Sequence, residues 1–147
     1  RRTYEIWAAY WPRVPVDSGS RTIADLFNSV PKHVATHRSD TLDWQNSHAL
    51  AGDLADAIRA LKQQDGANLL TWGSGDMVRQ LLAAGLVDEF RLMIYPVVLG
   101  RGKHLWDNNA QPSAFTLAHS IITRSGVLLT RYARSGEVRT GTFEDVE

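Results

Sequence analysis

The sequence contains no cysteine, no hydrophobic run long enough to cross a membrane and no excess of charge of either sign. The absence of cysteine excludes disulfide bonds, metal sites built on thiolates and a cysteine nucleophile. A spanning helix needs roughly 18 consecutive apolar residues, and neither such a run nor a secretory signal peptide is present. Because 16 basic residues balance 16 acidic ones, no global field favours nucleic acid or an anionic membrane. We therefore expect a cytoplasmic protein that binds neither.

What the sequence does contain is ordinary for one folded domain. Its 147 residues are enough to enclose a substantial core. The hydrophobic content of 44% and the charged content of 22% are typical of globular proteins. We assign residues 1–134 to a single domain and residues 135–147 to a polar C-terminal tail.

Residues 67–99 are the stretch around which the rest is interpreted. The short apolar run at its start has the length of a buried parallel strand, and the following glycines allow a tight turn. Asp76 is placed to cap a helix, and Gly85 stands where a left-handed residue commonly ends one. In order, we predict a strand over 68–72, a turn over 73–75, a helix over 77–84 and a strand over 90–99.

Hydrophobic periodicity supplies the other elements. Asp53 is a good N-cap for the clearest helix, whose apolar stripe is formed by Leu54, Ala57, Ile58 and Leu61. The further predictions are a helix over 3–10 capped by Thr3, a short helix around 23–27, strands over 32–36 and 47–50, and a hairpin of strands over 115–123 and 127–132. This alternation favours an α/β fold with a mostly parallel central sheet, finished by the antiparallel C-terminal hairpin.

Three places in the chain suit an anion. The glycine turn Gly73-Ser74-Gly75 leads into a helix whose N–H groups and dipole attract phosphate. Arg1 and Arg2 stand at a predicted helix start, where the dipole disfavours cations unless an anion lies nearby. Arg38 can bind a phosphate in fork geometry, and its neighbour His37 adds a donor when protonated. A ligand-free turn and solvated surface charge are the alternative interpretations.

Other kinds of site are poorly supported. Four histidines, His33, His48, His104 and His119, show no metal-ligand spacing, so we predict no metal. Ser74 lacks the Gly-X-Ser-X-Gly frame of a hydrolase nucleophile. Asp88-Glu89 is interpreted as the solvated start of a strand rather than as a catalytic pair. The aromatic residues do not alternate with a basic stripe, which argues against nucleic-acid binding.

Several strings together resemble a known family. They are Gly73-Ser74-Gly75, the segment from Leu82 to Glu89 (Leu-Ala-Ala-Gly-Leu-Val-Asp-Glu), and the segment from Tyr95 to Gly102 (Tyr-Pro-Val-Val-Leu-Gly-Arg-Gly). These resemble the reductase domain of bifunctional riboflavin-biosynthesis proteins and stand-alone members of the dihydrofolate-reductase-like superfamily. The opening Arg-Arg-Thr-Tyr-Glu is similar to the start of a helix in those proteins. The family's first strand and helix have no counterpart here, so we expect an N-terminally incomplete chain.

The resemblance implies a dihydrofolate-reductase-like three-layer fold, NADPH as the cofactor and a homodimer. In the family, the helix start that matches Arg1-Arg2-Thr3 holds cofactor phosphates. The turn that matches His37-Arg38 meets the adenosine 2′-phosphate, and the glycine turn that matches residues 74–77 binds the pyrophosphate. The apolar residues available to a dimer interface are Phe115, Leu117, Ile121, Leu128 and Leu129. We predict the cofactor-binding residues to be Arg1, Arg2, Thr3, His37, Arg38, Trp72, Gly73, Ser74, Gly75, Asp76 and Met77.

The function expected from this resemblance is NADPH-dependent reduction of a C=N or C=O group in a small heterocyclic or sugar-linked substrate. The riboflavin branch implies a ribosylamino-pyrimidine, and the folate branch implies a pterin. Tyr95, Leu99 and Gly100 are candidate substrate residues, because ligands tend to lie beyond the carboxyl ends of sheet strands. No catalytic residue is assigned. The alternatives are a non-catalytic nucleotide-binding or regulatory domain and a purely structural dimer.

Overall fold

The computed structural model of the protein describes residues 1–38, 41–106 and 110–141. The chain divides into two compact units, Arg1–Ser74 and the part that begins at Gly75. The division predicted from the sequence, with one domain ending at residue 134, stays a prediction.

The first unit contains three helices and a pair of short strands. Most of these elements were predicted within a few residues of their observed bounds. The elements are α1 (Arg2–Tyr10), a 3-10 turn (Trp11–Arg13), α2 (Arg21–Ser29), β1 (Lys32–Ala35), β2 (Ser47–Leu50) and α3 (Leu54–Lys62).

The ends of these helices show which predicted caps form. Asp53 caps α3 as predicted, since its carboxylate accepts a hydrogen bond from the backbone N–H of Asp56 at 3.0 Å. The prediction that Thr3 caps α1 is wrong. Helix α1 begins at Arg2, its N-cap is Arg1 without a side-chain cap, and the Thr3 hydroxyl contacts another side chain instead.

Strands β1 and β2 pair in parallel, with Lys32 opposite Ser47 and Ala35 opposite Leu50. Parallel neighbours usually need a long crossover that contains a helix. In the described part of this connection, 36–38 and 41–46, there is no helix. The buried side chain of Trp44, only 6% exposed, packs into the unit from this connection together with the core residues Val14, Ala24 and Val34.

The predicted strand over 68–72 is wrong. Residues 67–72 have no regular secondary structure, and Leu69, Leu70 and Trp72 are 46%, 60% and 46% exposed. A strand forms only where a neighbour takes up its backbone hydrogen bonds. Among the residues that the structure describes, β1 pairs with β2 alone, so an apolar composition was insufficient to make this segment a strand.

The second unit begins with α4 (Gly75–Ala83) and continues with strands β3 (Glu89–Ile94), β4 (Ala114–Ile122) and β5 (Leu128–Gly136). Gly85 adopts a φ of +69° as predicted. The Leu86 N–H donates to the Leu81 carbonyl and the Gly85 N–H to the Leu82 carbonyl, which completes a Schellman ending. Asp76 lies in the first turn of α4 and is not its N-cap, because the helix starts at Gly75, two residues earlier than predicted.

The three strands form an antiparallel sheet in the order β3-β5-β4. The predicted hairpin of β4 and β5 is confirmed, and its turn contains Gly126 at a φ of +79°. Strand β3 ends at Ile94, short of the predicted Leu99, because Pro96 has no N–H to continue a ladder. Strand β5 extends through Gly136, so pairing continues two residues into the segment predicted to be a tail.

A mixed α/β fold is therefore confirmed. The finer prediction of one three-layer, mostly parallel sheet is not confirmed, since in the described part of the chain only β1 and β2 pair in parallel and the larger sheet is antiparallel. Within the described ranges, none of the helices has the length and apolar character needed to cross a membrane.

The side-by-side histidines of the parallel pair predict a pH dependence of stability. His33 lies opposite His48, with ring centroids 6.0 Å apart. Burial, and then the nearby charge of His48, lowers the pKa of His33 below its usual 6.5. The folded protein therefore binds fewer protons here than the unfolded chain. The contribution of neutral His33 to the free energy of unfolding is fully present above about pH 6.5. It declines as the pH falls from there towards the pKa of His33 in the folded protein.

We expect His33→Gln to flatten the decline of the urea midpoint between about pH 7 and pH 5, where histidine ordinarily titrates. His119→Gln, in the antiparallel sheet, is the matched control and should leave the slope as in the wild type. Parallel pH profiles for His33→Gln and the wild type would contradict the prediction.

Candidate anion-binding site

Two of the predicted phosphate-binding arginines meet at the amino-terminal end of α1. The Arg1 guanidinium donates from Nε to Glu5 Oε1 at 3.1 Å. The Arg38 guanidinium donates from Nη1 to the same oxygen at 2.8 Å, although it lies 33 residues further along the chain. The two cations thus share one carboxylate oxygen, and this end of the helix carries net positive charge.

Backbone contacts determine why these residues meet here. The backbone nitrogen of Arg1 donates to the Ala35 carbonyl at 3.3 Å. This bond holds the start of α1 beside the carboxyl end of β1. Immediately after that strand, the backbone N–H of Arg38 donates to Thr36 Oγ1 at 3.1 Å in a local turn. Arg38 therefore lies close enough to the start of α1 for its side chain to reach Glu5.

The glycine turn reaches the same helix end. The hydroxyl oxygens of Thr3 and Ser74 are 3.3 Å apart. Gly73 and Ser74 both adopt left-handed φ angles, of +61° and +58°, a conformation that is costly for a residue with a Cβ. A Cβ added at Gly73 would meet no atom within 4 Å, so open space lies above this peptide. The turn therefore leaves room for a ligand beside two hydroxyl groups.

The rest of the predicted glycine motif lies in the second unit. Gly75, Asp76 and Met77 form the first turn of α4. The Asp76 carboxylate is paired with Arg79, which also donates to the His104 carbonyl at 3.2 Å. An acid in the first helical turn complements the dipole, so Asp76 stabilises α4 without a ligand.

Aromatic side chains support the segment that precedes the turn. Trp72 packs against Trp7 of α1 and Phe27 of α2, with ring centroids 5.6 and 5.8 Å away. Trp7 and Phe27 are themselves 4.8 Å apart, and Trp11 joins both of them. These tilted and edge-to-face contacts anchor the chain just before Gly73 while leaving Trp72 46% exposed.

A groove of about 690 Å³ runs along α1 from Arg1 and Glu5 towards Pro12, with Trp44 and Gln45 on its other wall. The wall is held by hydrogen bonds. The backbone N–H of Trp44 donates to the Tyr4 hydroxyl at 3.0 Å, and its Nε1 donates to Asn28 Oδ1 at 2.8 Å. The volume lies within the usual range of small-molecule sites.

Lys32 lies against the same wall but is already engaged by protein groups. Its Nζ donates to the carbonyls of Phe27 and Val30 at 2.8 Å each, at the end of α2, and lies 4.5 Å from the ring of Trp44. Burial lowers the pKa of Lys32 below its usual 10.5. Its charge serves as a cap for α2 and offsets the negative end of the helix dipole.

The other predicted residues are placed as follows. Arg2 and His37 are exposed. Tyr95, Leu99 and Gly100 lie in the loop after β3, where Tyr95 is 56% and Leu99 81% exposed and Gly100 has a φ of +71°. Their roles stay predictions. Among residues 1–38, 41–106 and 110–141, no three histidine, aspartate or glutamate side chains are grouped closely enough to hold a metal ion.

The sequence did not identify Glu5 as part of the site. Its spacing of four residues from Arg1 on a helix indicates an ion pair, and that signal was available. Arg38 itself was predicted as a site residue, but its ion pair with Glu5 was not, because no local pattern connects positions 33 residues apart. The wall formed by Tyr4, Asn28 and Trp44 also had no sequence signal.

The first unit is thus a mixed α/β structure with a cationic, hydroxyl-lined helix end, an arrangement that suits a phosphorylated small molecule. The RibD C-terminal domain family matches residues 5–129 of the chain. The chain belongs to this family, a riboflavin-biosynthesis reductase-like domain, and the resemblance inferred from the motifs is confirmed.

Two known proteins are similar to the chain. The uncharacterised Bacillus subtilis (strain 168) protein YyaP is 27% identical over 136 residues, which cover 92% of this chain and 72% of YyaP. A crystal structure from Shewanella sp. PV-4, named as a candidate riboflavin biosynthesis protein, has a TM-score of 0.63 and 22% identity. That match covers 79% of this chain and 70% of the other, and it shows a shared fold.

The groove wall gives a test of the local structure. Asn28→Leu removes the acceptor of the Trp44 indole N–H in a side chain that is 6% exposed. We expect the free energy of unfolding to fall by about 1–3 kcal/mol, the usual cost of a buried donor without a partner. Asn28→Asp keeps the acceptor oxygen and loses only the amide N–H bond to the Trp11 carbonyl, so it should cost less. Equal losses in urea unfolding of the two variants would contradict this assignment.

Proposed function

We propose that the protein is an NADPH-dependent reductase that transfers a hydride to a C=N or C=O group of a small heterocyclic or sugar-linked substrate. The observation that carries the proposal is the meeting of Arg1, Thr3, Arg38 and Ser74 at one helix end. Membership of a reductase-like family supports it. The family is generally NADPH-binding, and the residues at this helix end fit the phosphates of that cofactor.

The residues divide naturally between the phosphates of a dinucleotide. Arg38 has a side chain that is 60% exposed and suits the adenosine 2′-phosphate, with His37 beside it in sequence. The hydroxyls of Thr3 and Ser74 and the open peptide at Gly73 suit the pyrophosphate. Arg1 and Arg2 supply further positive charge at the helix start. Gly75, Asp76 and Met77, which form the first turn of α4 in the second unit, stay predicted cofactor residues.

When bound, the cofactor supplies the hydride. The chain's own contribution is to hold the phosphates, orient the dinucleotide and limit the access of water. For the substrate we propose a ribosylamino-pyrimidine or a pterin, with Tyr95, Leu99 and Gly100 as candidate contacts. We assign no proton donor.

We also propose that the protein forms a homodimer through its C-terminal strands. Strand β4 is an edge of the antiparallel sheet, and Leu117 and Ile121 are 50% and 51% exposed on it. Exposed apolar side chains on an edge strand favour pairing with another chain.

Binding of NADPH can be measured directly. Titration with NADPH should quench tryptophan fluorescence saturably, because Trp72 immediately precedes the turn and is partly exposed. Trp72→Phe should reduce the quenched amplitude, whereas Trp106→Phe controls for the loss of one tryptophan. Absence of a saturable response up to about 1 mM NADPH, which corresponds to negligible affinity, would overturn the proposal. Saturable binding without NADPH oxidation across pyrimidines and pterins would favour a non-catalytic nucleotide-binding domain.

The contribution of Arg38 to NADPH binding can be measured separately. Arg38→Gln removes a charge-assisted contact to the 2′-phosphate, and such contacts are among the stronger polar interactions. We expect the Kd for NADPH to rise about tenfold, or about 1.4 kcal/mol, while the Kd for NADH changes little. Arg59→Gln on α3 is the control, since Arg59 also forms an exposed ion pair, with Asp56. Equal effects of Arg38→Gln on the two cofactors would remove Arg38 from the 2′-phosphate site.

A further inference from the structure

The Glu5 carboxylate links the two cationic segments of the candidate site. Arg1 and Glu5 are one helical turn apart on α1, whereas Arg38 follows β1. The bonds of 3.1 and 2.8 Å end on the same carboxylate oxygen. The carboxylate therefore fixes the distance between two guanidinium groups that come from separate parts of the chain.

The geometry leaves Arg38 able to bind a ligand while it is held. A guanidinium carries five N–H donors in a planar fork, and the bond to Glu5 is made through Nη1. The Arg38 side chain is 60% exposed, so its remaining edge faces solvent. A phosphate can then approach Arg38 without displacing the carboxylate.

Glu5 also reduces the electrostatic repulsion at this end of α1. Two guanidinium groups repel each other, and the positive end of the α1 dipole adds to that repulsion. One carboxylate between them lowers that cost, and among the described residues the arginines at this helix end still outnumber it. Without Glu5, the long Arg38 side chain would regain the rotamer freedom of an exposed arginine, and binding would have to order it again.

We propose that Glu5 is the positioning residue that sets the preference for a dinucleotide carrying a 2′-phosphate. It acts by holding Arg38 at the α1 helix end before the ligand arrives. This inference rests on the proposed function, because it assumes that Arg38 faces the 2′-phosphate.

The predicted effect is on ligand selection rather than on folding. Ion pairs between exposed side chains contribute little to stability, and the Glu5 side chain is 40% exposed. A purely structural role would change the affinities for phosphorylated and unphosphorylated ligands equally. A positioning role changes the ratio of the two affinities.

The test compares NADPH with NADH, and 2′,5′-ADP with 5′-AMP, by calorimetric titration of the whole chain. Glu5→Gln keeps the shape of the side chain and removes its charge. We expect it to weaken NADPH and 2′,5′-ADP five- to tenfold and to change NADH and 5′-AMP less than twofold. Asp56→Asn, which removes the partner of an exposed arginine on α3, is the matched control and should change no ratio.

The double variant Glu5→Gln/Arg38→Gln shows whether Glu5 acts through Arg38. If it does, the double variant should bind NADPH no more weakly than Arg38→Gln alone, because coupled residues are not additive. Glu5→Asp retains the charge but is one methylene shorter, and we expect it to lose the same preference by failing to reach both arginines. This second variant also provides the test if Glu5→Gln does not fold.

The outcomes separate the two proposals. If the wild type does not distinguish NADPH from NADH, the assigned 2′-phosphate site fails, and the role of Glu5 fails with it. If the wild type prefers NADPH and Glu5→Gln leaves that preference intact or strengthens it, only the role of Glu5 is overturned. Additive losses in the double variant would also overturn it.

Discussion

Positive charge at the amino-terminal end of α1 is the constraint on which the first unit depends. The helix dipole is itself positive there, yet Arg1 is the N-cap and Arg2 the first helical residue. The Glu5 carboxylate compensates part of this charge and draws in a third arginine, Arg38. The local structure of β1 and the turn after it is thereby tied to the start of α1. A helix end that gathers cations in this way is an unusual solution for stability alone and a sensible one for an anionic ligand.

Packing supports this electrostatic arrangement from the other end of the helix. Trp7 and Trp11 lie on or just after α1 and contact Phe27 of α2. Trp72 joins the same cluster immediately before the glycine turn. Aromatic pairs contribute stability beyond the area that they bury, so the cluster anchors α1 against α2 while the charged end of α1 forms the candidate site.

The sequence predicted well what local rules determine. The stripe of α3 with its Asp53 cap, the left-handed Gly85 and the hairpin of β4 and β5 all depend on neighbours within a few positions. The strand over 68–72 depended on a distant partner, and hydrophobicity alone could not supply one. The same distinction holds in the site. The residue types at Arg1, Thr3, Arg38 and Ser74 were recognisable, but the bridge through Glu5 depends on tertiary packing and on side-chain rotamers.

The connection between β1 and β2 has a consequence for sequence change within the family. In most α/β proteins a crossover helix separates the length of a connection from its ligand contacts, so insertions there are easily accommodated. Here the connection between β1 and β2 contains both Arg38 and the buried Trp44, whose indole and backbone N–H groups are both hydrogen bonded to neighbouring elements. An insertion or deletion between these two residues would alter the reach of the arginine and the seating of the tryptophan together. Under the proposed role of Arg38, we therefore expect changes in the length of this segment to change the ligand preference. Homologues with the same connection length should then share a ligand preference.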